Sequence, residues 1–181
     1  NSAALGQVGQ RRDQDEQGLA RQLALPGAQS RVRRDHPVSP QGEAGLGDAG
    51  AGGPDLIVDV ATLTYQVVVA LGPDIGGLFT RDDETAAMLM ASGDSAGEPL
   101  WRLPYDERYL GQVLMPDGVK NHPETDSGRA ITAALFLGQF VPEGTPWAHL
   151  DITGPAWRGP ASSPGATGFG VRTLLSLLRS L

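Results

Sequence analysis

Hydrophobic positions along the chain change their spacing near residue 54. Before it, only residues 10–25, around DQDEQGLARQLAL from Asp13, carry a helical repeat, with Leu19, Leu23 and Leu25 forming one short apolar stripe. Residues 26–54 are Gly, Pro and Ser-rich and are expected to be irregular, because they bury too little to offset the entropy of ordering. After Pro54 the pattern is that of an α/β interior. The β-branched runs Asp55 to Leu63 and Gln66 to Leu71 read as strands covered on both faces. Asp82, Asp83 and Glu84 precede TAAMLMA and predict a helix over 82–92, its acids set against the positive end of the helix dipole. Leu100 to Pro104 reads as extended, Tyr105 to Val113 as a further helix, and Met115 to Ser127 as a polar loop. Residues 129–140 place Ile131, Ala134, Leu135 and Leu137 at helical spacing, and Trp147 to Ile152 is a strand. The end is an amphipathic helix with Val171, Leu174, Leu175 and Leu178 on one face.

Composition sharpens the break. Residues 1–50 contain no Phe, Trp, Tyr, Ile, Met, Lys or Thr, and their six Arg balance six acids, so the net charge of −7 belongs to the remainder. An acidic balance argues against nucleic acid, which selects clustered Lys and Arg. No apolar run approaches the roughly 20 residues that cross a bilayer, so no membrane association is expected. The chain has no cysteine, hence neither disulfides nor thiolate ligands.

Candidate chemistry is sparse. His36, His122 and His149 form no metal-ligand spacing, and His149, on a strand, reads as a core histidine. There is no Gly-x-Ser-x-Gly elbow. The glycines at 72, 76, 77, 165, 168 and 170 lack the Lys-Ser/Thr of a phosphate loop and suit turns and close packing instead. Asp82 to Glu84 read as helix capping, and Asp117, Glu124 and Asp126 as a solvated loop. The residues alone specify an α/β domain without a complete catalytic constellation.

The order of longer words goes further. PDLIVDVATLT (54–64), VALG (69–72), GLFTRDDE (77–84), AGEPLWRLP (96–104), AITAALFL (130–137), FVPEGTPWAHLDI (140–152) and GATGFGVRTLL (165–175) resemble the C-terminal zinc-peptidase domain of leucine (cytosol) aminopeptidases. The resemblance implies a fold of class α/β, a partial mixed sheet flanked by helices, over residues 54–181, with residues 1–53 an irregular Gly/Pro/Arg-rich segment. It also implies a cytoplasmic metalloexopeptidase, usually hexameric, that removes N-terminal residues from peptides with two divalent ions, zinc or manganese. In that family the ions polarise the scissile carbonyl and activate a bridging water.

The family's ligands and its catalytic Lys and Arg lie upstream of the matching words. Its signature Asn-Thr-Asp-Ala-Glu-Gly-Arg is absent as such. Counting back without a gap puts Asp35 at the signature Asp, with Pro37 for its Glu and Ser39 for its Arg. A three-residue deletion instead matches Glu43 to the Glu, with Gln41 for the Asp and Gly45 for the Arg. One carboxylate does not hold two dications, so no metal or catalytic residue is carried over, no tightly bound cofactor is expected, and inactivity in isolation is. Lys120, the only lysine, does not correspond to a ligand. The resemblance leaves Thr62, Leu63, Thr153 and Ala156 as substrate-binding residues. Tyr65 stands where the family has a glycine beside the substrate, and Thr153 where it has a pocket Ala. The first residue is Asn and the first Met is Met88, which fits a fragment. The chain's 13 Arg to 1 Lys suggests GC-rich coding DNA, and the Arg/Gln/Gly/Ala/Pro vocabulary of residues 1–50 suits either an out-of-frame reading of such DNA or a disordered linker. Three functional readings follow: an aminopeptidase homologue inactive alone, a non-catalytic assembly subunit of an aminopeptidase hexamer, or, ranked last, an active aminopeptidase whose missing ligands come from another chain.

Overall fold

A computed structural model describes residues 40–125, 127–159 and 165–181. Four strands form the main sheet: β1 (Ile57–Ala61), β2 (Gly76–Phe79), β3 (Leu100–Arg102) and β6 (Trp147–Asp151), in the order β1-β6-β2-β3. β1 runs parallel to β6 with Ile57 opposite Trp147 and Ala61 opposite Asp151; β6 is antiparallel to β2, and β2 is parallel to β3. The sheet is therefore mixed, as expected. Two short hairpins, β4 (Leu114–Met115) with β5 (Gly118–Val119) and β7 (Trp157–Arg158) with β8 (Gly165–Ala166), lie outside it.

Helices cover both faces. α1 (Pro40–Ala51), α2 (Tyr65–Leu71) and α4 (Arg129–Gly138) belong to one side, and α3 (Asp83–Ala96) and α5 (Val171–Ser180) to the other. The second layer seals the core of Leu78, Leu89, Leu100, Ala148, Leu150 and Leu177. The first packs Val67, Phe79 and Ala134 together, and Leu46 with Ile57 and Trp147. Every residue of β6 is buried because its alternate side chains meet a different helical layer.

Several expectations are corrected. Gln66 to Leu71 is not a strand but most of α2. A short β-branched run has no periodicity that separates the two states, and here only Val67 is buried while Val69 is 70% exposed. Residues 40–51, expected to be irregular with the rest of 26–54, are helical; Leu46 anchors them, and Gly50 lies so close to Pro142 that no side chain would fit. Tyr105 to Val113 contains a 3₁₀ turn, Glu107–Gln112, capped by Asp106, instead of an α-helix, and the 115–127 loop opens with the β4-β5 hairpin. The closing helix forms, but its burial is rotated: Thr173 and Leu177 face the core, whereas Val171, Leu175 and Leu178 are 57%, 47% and 68% exposed. The helix placed at 10–25 lies outside the described residues.

Other expectations hold. Asp82 caps α3, accepting the Thr85 amide at 2.6 Å, and the helix runs on to Gly97, whose φ of 67° closes it. Gly76 and Gly77 serve close packing: a Cβ on Gly76 would lie 2.9 Å from Leu100.

Candidate functional site

Parallel strands β1 and β6 end at the same edge of the sheet, and the loops that leave them begin the site. Ligands of α/β sheets gather outside such carboxyl ends. The last residue of β6 is Asp151, 1% exposed. Its Oδ1 accepts hydrogen bonds from the Leu63 amide (3.1 Å), the Thr153 amide (3.2 Å) and the Thr153 hydroxyl (2.6 Å). Its Oδ2 accepts from the Thr64 amide (2.9 Å) and the Thr64 hydroxyl (2.8 Å). Five donors from two loops thus converge on one buried carboxylate, which compensates for the cost of removing it from water. Thr64 is also the N-cap of α2 but makes no side-chain cap of its own, so Asp151 supplies the negative charge at that helix start.

The loops are braced further. The Ala156 amide donates to the Ile152 carbonyl at 2.9 Å, and the Ala156 carbonyl accepts from the Thr167 amide at 2.9 Å. Gly154 lies against Gly72, where a Cβ would come within 2.5 Å of the Gly72 carbonyl oxygen. Of the four residues singled out from the sequence, Leu63 and Thr153 meet on Asp151, Thr62 adjoins Leu63 within the same loop, and Ala156 closes the second loop. Tyr65, the first residue of α2, is 49% exposed. Asp151 itself was missed by reading the sequence. Its signal was a carboxylate ending an otherwise buried strand, which has no meaning until its partners, 87 and 88 residues away, are in place.

One step back along the same strand face, Asp59 of β1 lies opposite His149 of β6. Asp59 Oδ1 is 2.5 Å from His149 Nδ1, and Asp59 Oδ2 accepts from Trp147 Nε1 at 2.7 Å. The imidazole is fully buried, stacked on Phe79 at 5.9 Å between ring centroids and on Trp147 at 6.5 Å. Burial pushes its pKa down, but the Asp59 carboxylate, with Asp151 adding to it, outweighs burial and leaves it above that of an ordinary histidine. The expected core histidine is therefore half satisfied, since Nε2 has no partner among the described residues.

The donor set does not fit a dication. Asp151 has both oxygens taken by loop donors, and Asp59 is committed to His149 and Trp147. Lys120 pairs with Glu124 at 3.1 Å, and His122 contacts Arg129 at the start of α4. Among the described residues, no group of three or more His, Asp or Glu is placed to hold a metal. Asp35, His36 and Asp126 lie outside those residues. No helix among them is long and apolar enough to cross a membrane.

Known proteins resemble this chain over most of its described length. Residues 46–175 match the cytosol aminopeptidase family, catalytic domain. The chain is 50% identical over 132 residues to a probable cytosol aminopeptidase of Trichodesmium erythraeum, covering 71% of this chain and 26% of that protein. It is 48% identical over 127 residues to one of Nostoc punctiforme, covering 68% and 26%. Among solved structures, a mutant of tomato leucine aminopeptidase superposes with a TM-score of 0.72 at 38% identity, covering 77% of this chain and 27% of that one. The bottromycin maturation enzyme BotP in complex with Mn gives 0.67 at 46% identity, covering 75% and 31%. The chain thus spans about a quarter of the length of the curated relatives it matches. With a family match over residues 46–175, relatives about 50% identical over that stretch and a mixed sheet that superposes on a leucine aminopeptidase, the chain belongs to the cytosol aminopeptidase family.

Proposed function

We propose that the two loops knotted by Asp151 are part of the substrate wall of a leucyl aminopeptidase, an enzyme that releases N-terminal amino acids from peptides. Thr62, Leu63, Thr153 and Ala156 are its contact residues. The observation that carries this reading is the convergence of Leu63, Thr64 and Thr153 on one buried carboxylate at the ends of parallel strands. The hydrolytic step belongs to two divalent ions, zinc or manganese, and among the described residues the carboxylates at this edge, Asp59 and Asp151, are engaged by protein donors. On this reading the chain is inactive alone and acts in the cytoplasm, and the aminopeptidase-like part, 54–181, takes in α1 through the packing of Leu46 on Ile57 and Trp147.

The test is hydrolysis of L-leucine p-nitroanilide by the purified chain, with manganese or zinc added. No turnover above background is expected; metal-dependent turnover would sink the claim of inactivity. The second reading, a non-catalytic assembly subunit of an aminopeptidase hexamer, is favoured by the exposed apolar row Val171, Leu175 and Leu178 on α5. Co-purification with an intact relative supports it, and a chain that stays separate in the mixture counts against it.

A further inference from the structure

We propose that Asp151 is a positioning residue that sets the gap between the two halves of the substrate wall, an inference that rests on the reading of these loops given above. Three features carry it. The carboxylate is nearly inaccessible, so it acts through its neighbours and not by touching a substrate. Each loop contributes both backbone and hydroxyl donors: the Leu63 and Thr64 amides with the Thr64 hydroxyl from one side, and the Thr153 amide and hydroxyl from the other. Oδ1 is shared, accepting from Leu63 and from Thr153, so the two loops are registered through a single oxygen atom.

Geometry makes that link stiff. The strand fixes Asp151 opposite Ala61, one residue before Thr62, so the carboxylate sits between the departing chains. Hydrogen bonds to an ionised acceptor in a water-excluded place are short and directional. A wall held in this way keeps its width when a side chain enters between Leu63 and Thr153, which is the form of preorganisation that lowers the ordering cost of binding.

The test is a chemical-shift titration of the full chain with L-leucinamide as the probe, followed at the backbone amides of Leu63, Thr64 and Thr153. Thr64 donates its hydroxyl to Asp151 Oδ2 and is not among the contact residues: Thr64→Val keeps the shape of the side chain but removes that donor, while Thr64→Ser keeps the donor and removes the methyl group. Serine is expected to bind like the wild type and valine about tenfold more weakly, the scale of one hydrogen bond to a charged acceptor. A role in packing alone predicts the reverse order. Equal affinity of the valine variant and the wild type overturns the positioning role while leaving the substrate wall standing. A wild-type chain with no shifts at these amides overturns the wall itself, and the inference with it. Amide exchange of the wild type gives a readout independent of any variant: Leu63, Thr64 and Thr153 are expected to exchange more slowly than Gly154, and exchange as fast as that residue overturns the link.

Discussion

Two buried carboxylates do the same chemistry at opposite places in this fold. Asp151 gathers donors at the start of α2, and Glu98 gathers them at the start of α5. Glu98 is 1% exposed; its Oε2 accepts from the Gly170 amide (3.0 Å), the Thr173 amide (2.9 Å) and the Thr173 hydroxyl (2.7 Å), and its Oε1 from Arg172 Nε (3.1 Å). Neither α2 nor α5 has a capping side chain of its own, whereas α3 begins with Asp82. The difference lies in what each knot joins. Asp151 ties loop to loop where the strands end. Glu98 follows the left-handed Gly97 that closes α3, and joins that turn to the helix carrying Leu177 into the core. One knot sets a local gap, and the other holds a layer onto the sheet.

The largest expected effect separates them by global stability. Glu98→Ala leaves the Gly170 amide and both Thr173 donors without their acceptor, and should cost about 3 kcal/mol in urea unfolding. Asp151→Asn, which keeps one acceptor oxygen, should cost about 2 kcal/mol and loosen amide exchange mainly at residues 63, 64 and 153. If the two variants lose protection over the same residues, the contrast between a layer clasp and a local clasp is wrong.

These knots mark the limit of what could be read in the sequence. Asp82 was legible because its partner, Thr85, is three residues away and the capping pattern is local. Glu98 and Asp151 bond to groups 72 to 88 residues distant, apart from the Thr153 side of Asp151. No window of sequence contains both ends. The same distinction explains α5: its two-sided pattern predicts a helix, but not which side meets the sheet. Thr173 enters the interior because Glu98 awaits it there, and the stronger apolar row is left outside. In α2 the β-branched run resembled a strand, and only the break after Thr64, with its donors turned onto Asp151, makes it a helix. Word order carried the family further than local chemistry did, since it identified the 62–65 and 152–156 loops before anything placed them together.

A middle-sized effect comes from pH. Burial pushes the Glu98 carboxyl up, but hydrogen bonds from Thr173, Arg172 and the Gly170 amide outweigh it and leave its pKa below the ordinary value. Its contribution to stability is therefore fully present above the unfolded value of about 4.3 and is lost as pH falls through the lower folded value. His149 has the opposite sign. Its pKa is raised, so its contribution is present below about pH 6.5 and is lost as pH rises through the folded value. Thermal unfolding followed against pH should show an acid shoulder that disappears in Glu98→Gln and an alkaline shoulder that disappears in His149→Phe. A variant that removes the other shoulder instead would reverse the assignment.

The smallest effect gives the most even comparison. Thr64 and Thr173 each donate a hydroxyl hydrogen bond to a buried carboxylate, at 2.8 and 2.7 Å, and each stands at the start of a helix. Replacing either with valine keeps the volume, leaves the amide bond to the carboxylate in place and removes one donor, at a cost of about 1 kcal/mol. Because the lost interactions match, any difference between the variants reports the surroundings and not the bond. Thr173→Val should shift the whole unfolding transition, since α5 seals the core through Leu177. Thr64→Val should change amide exchange in the 62–65 loop by more than it changes the midpoint, because α2 buries only Val67. Equal midpoint shifts, with no local exchange change for Thr64→Val, would mean that the loop at the strand ends is as integral to global stability as the helical layer on the other face.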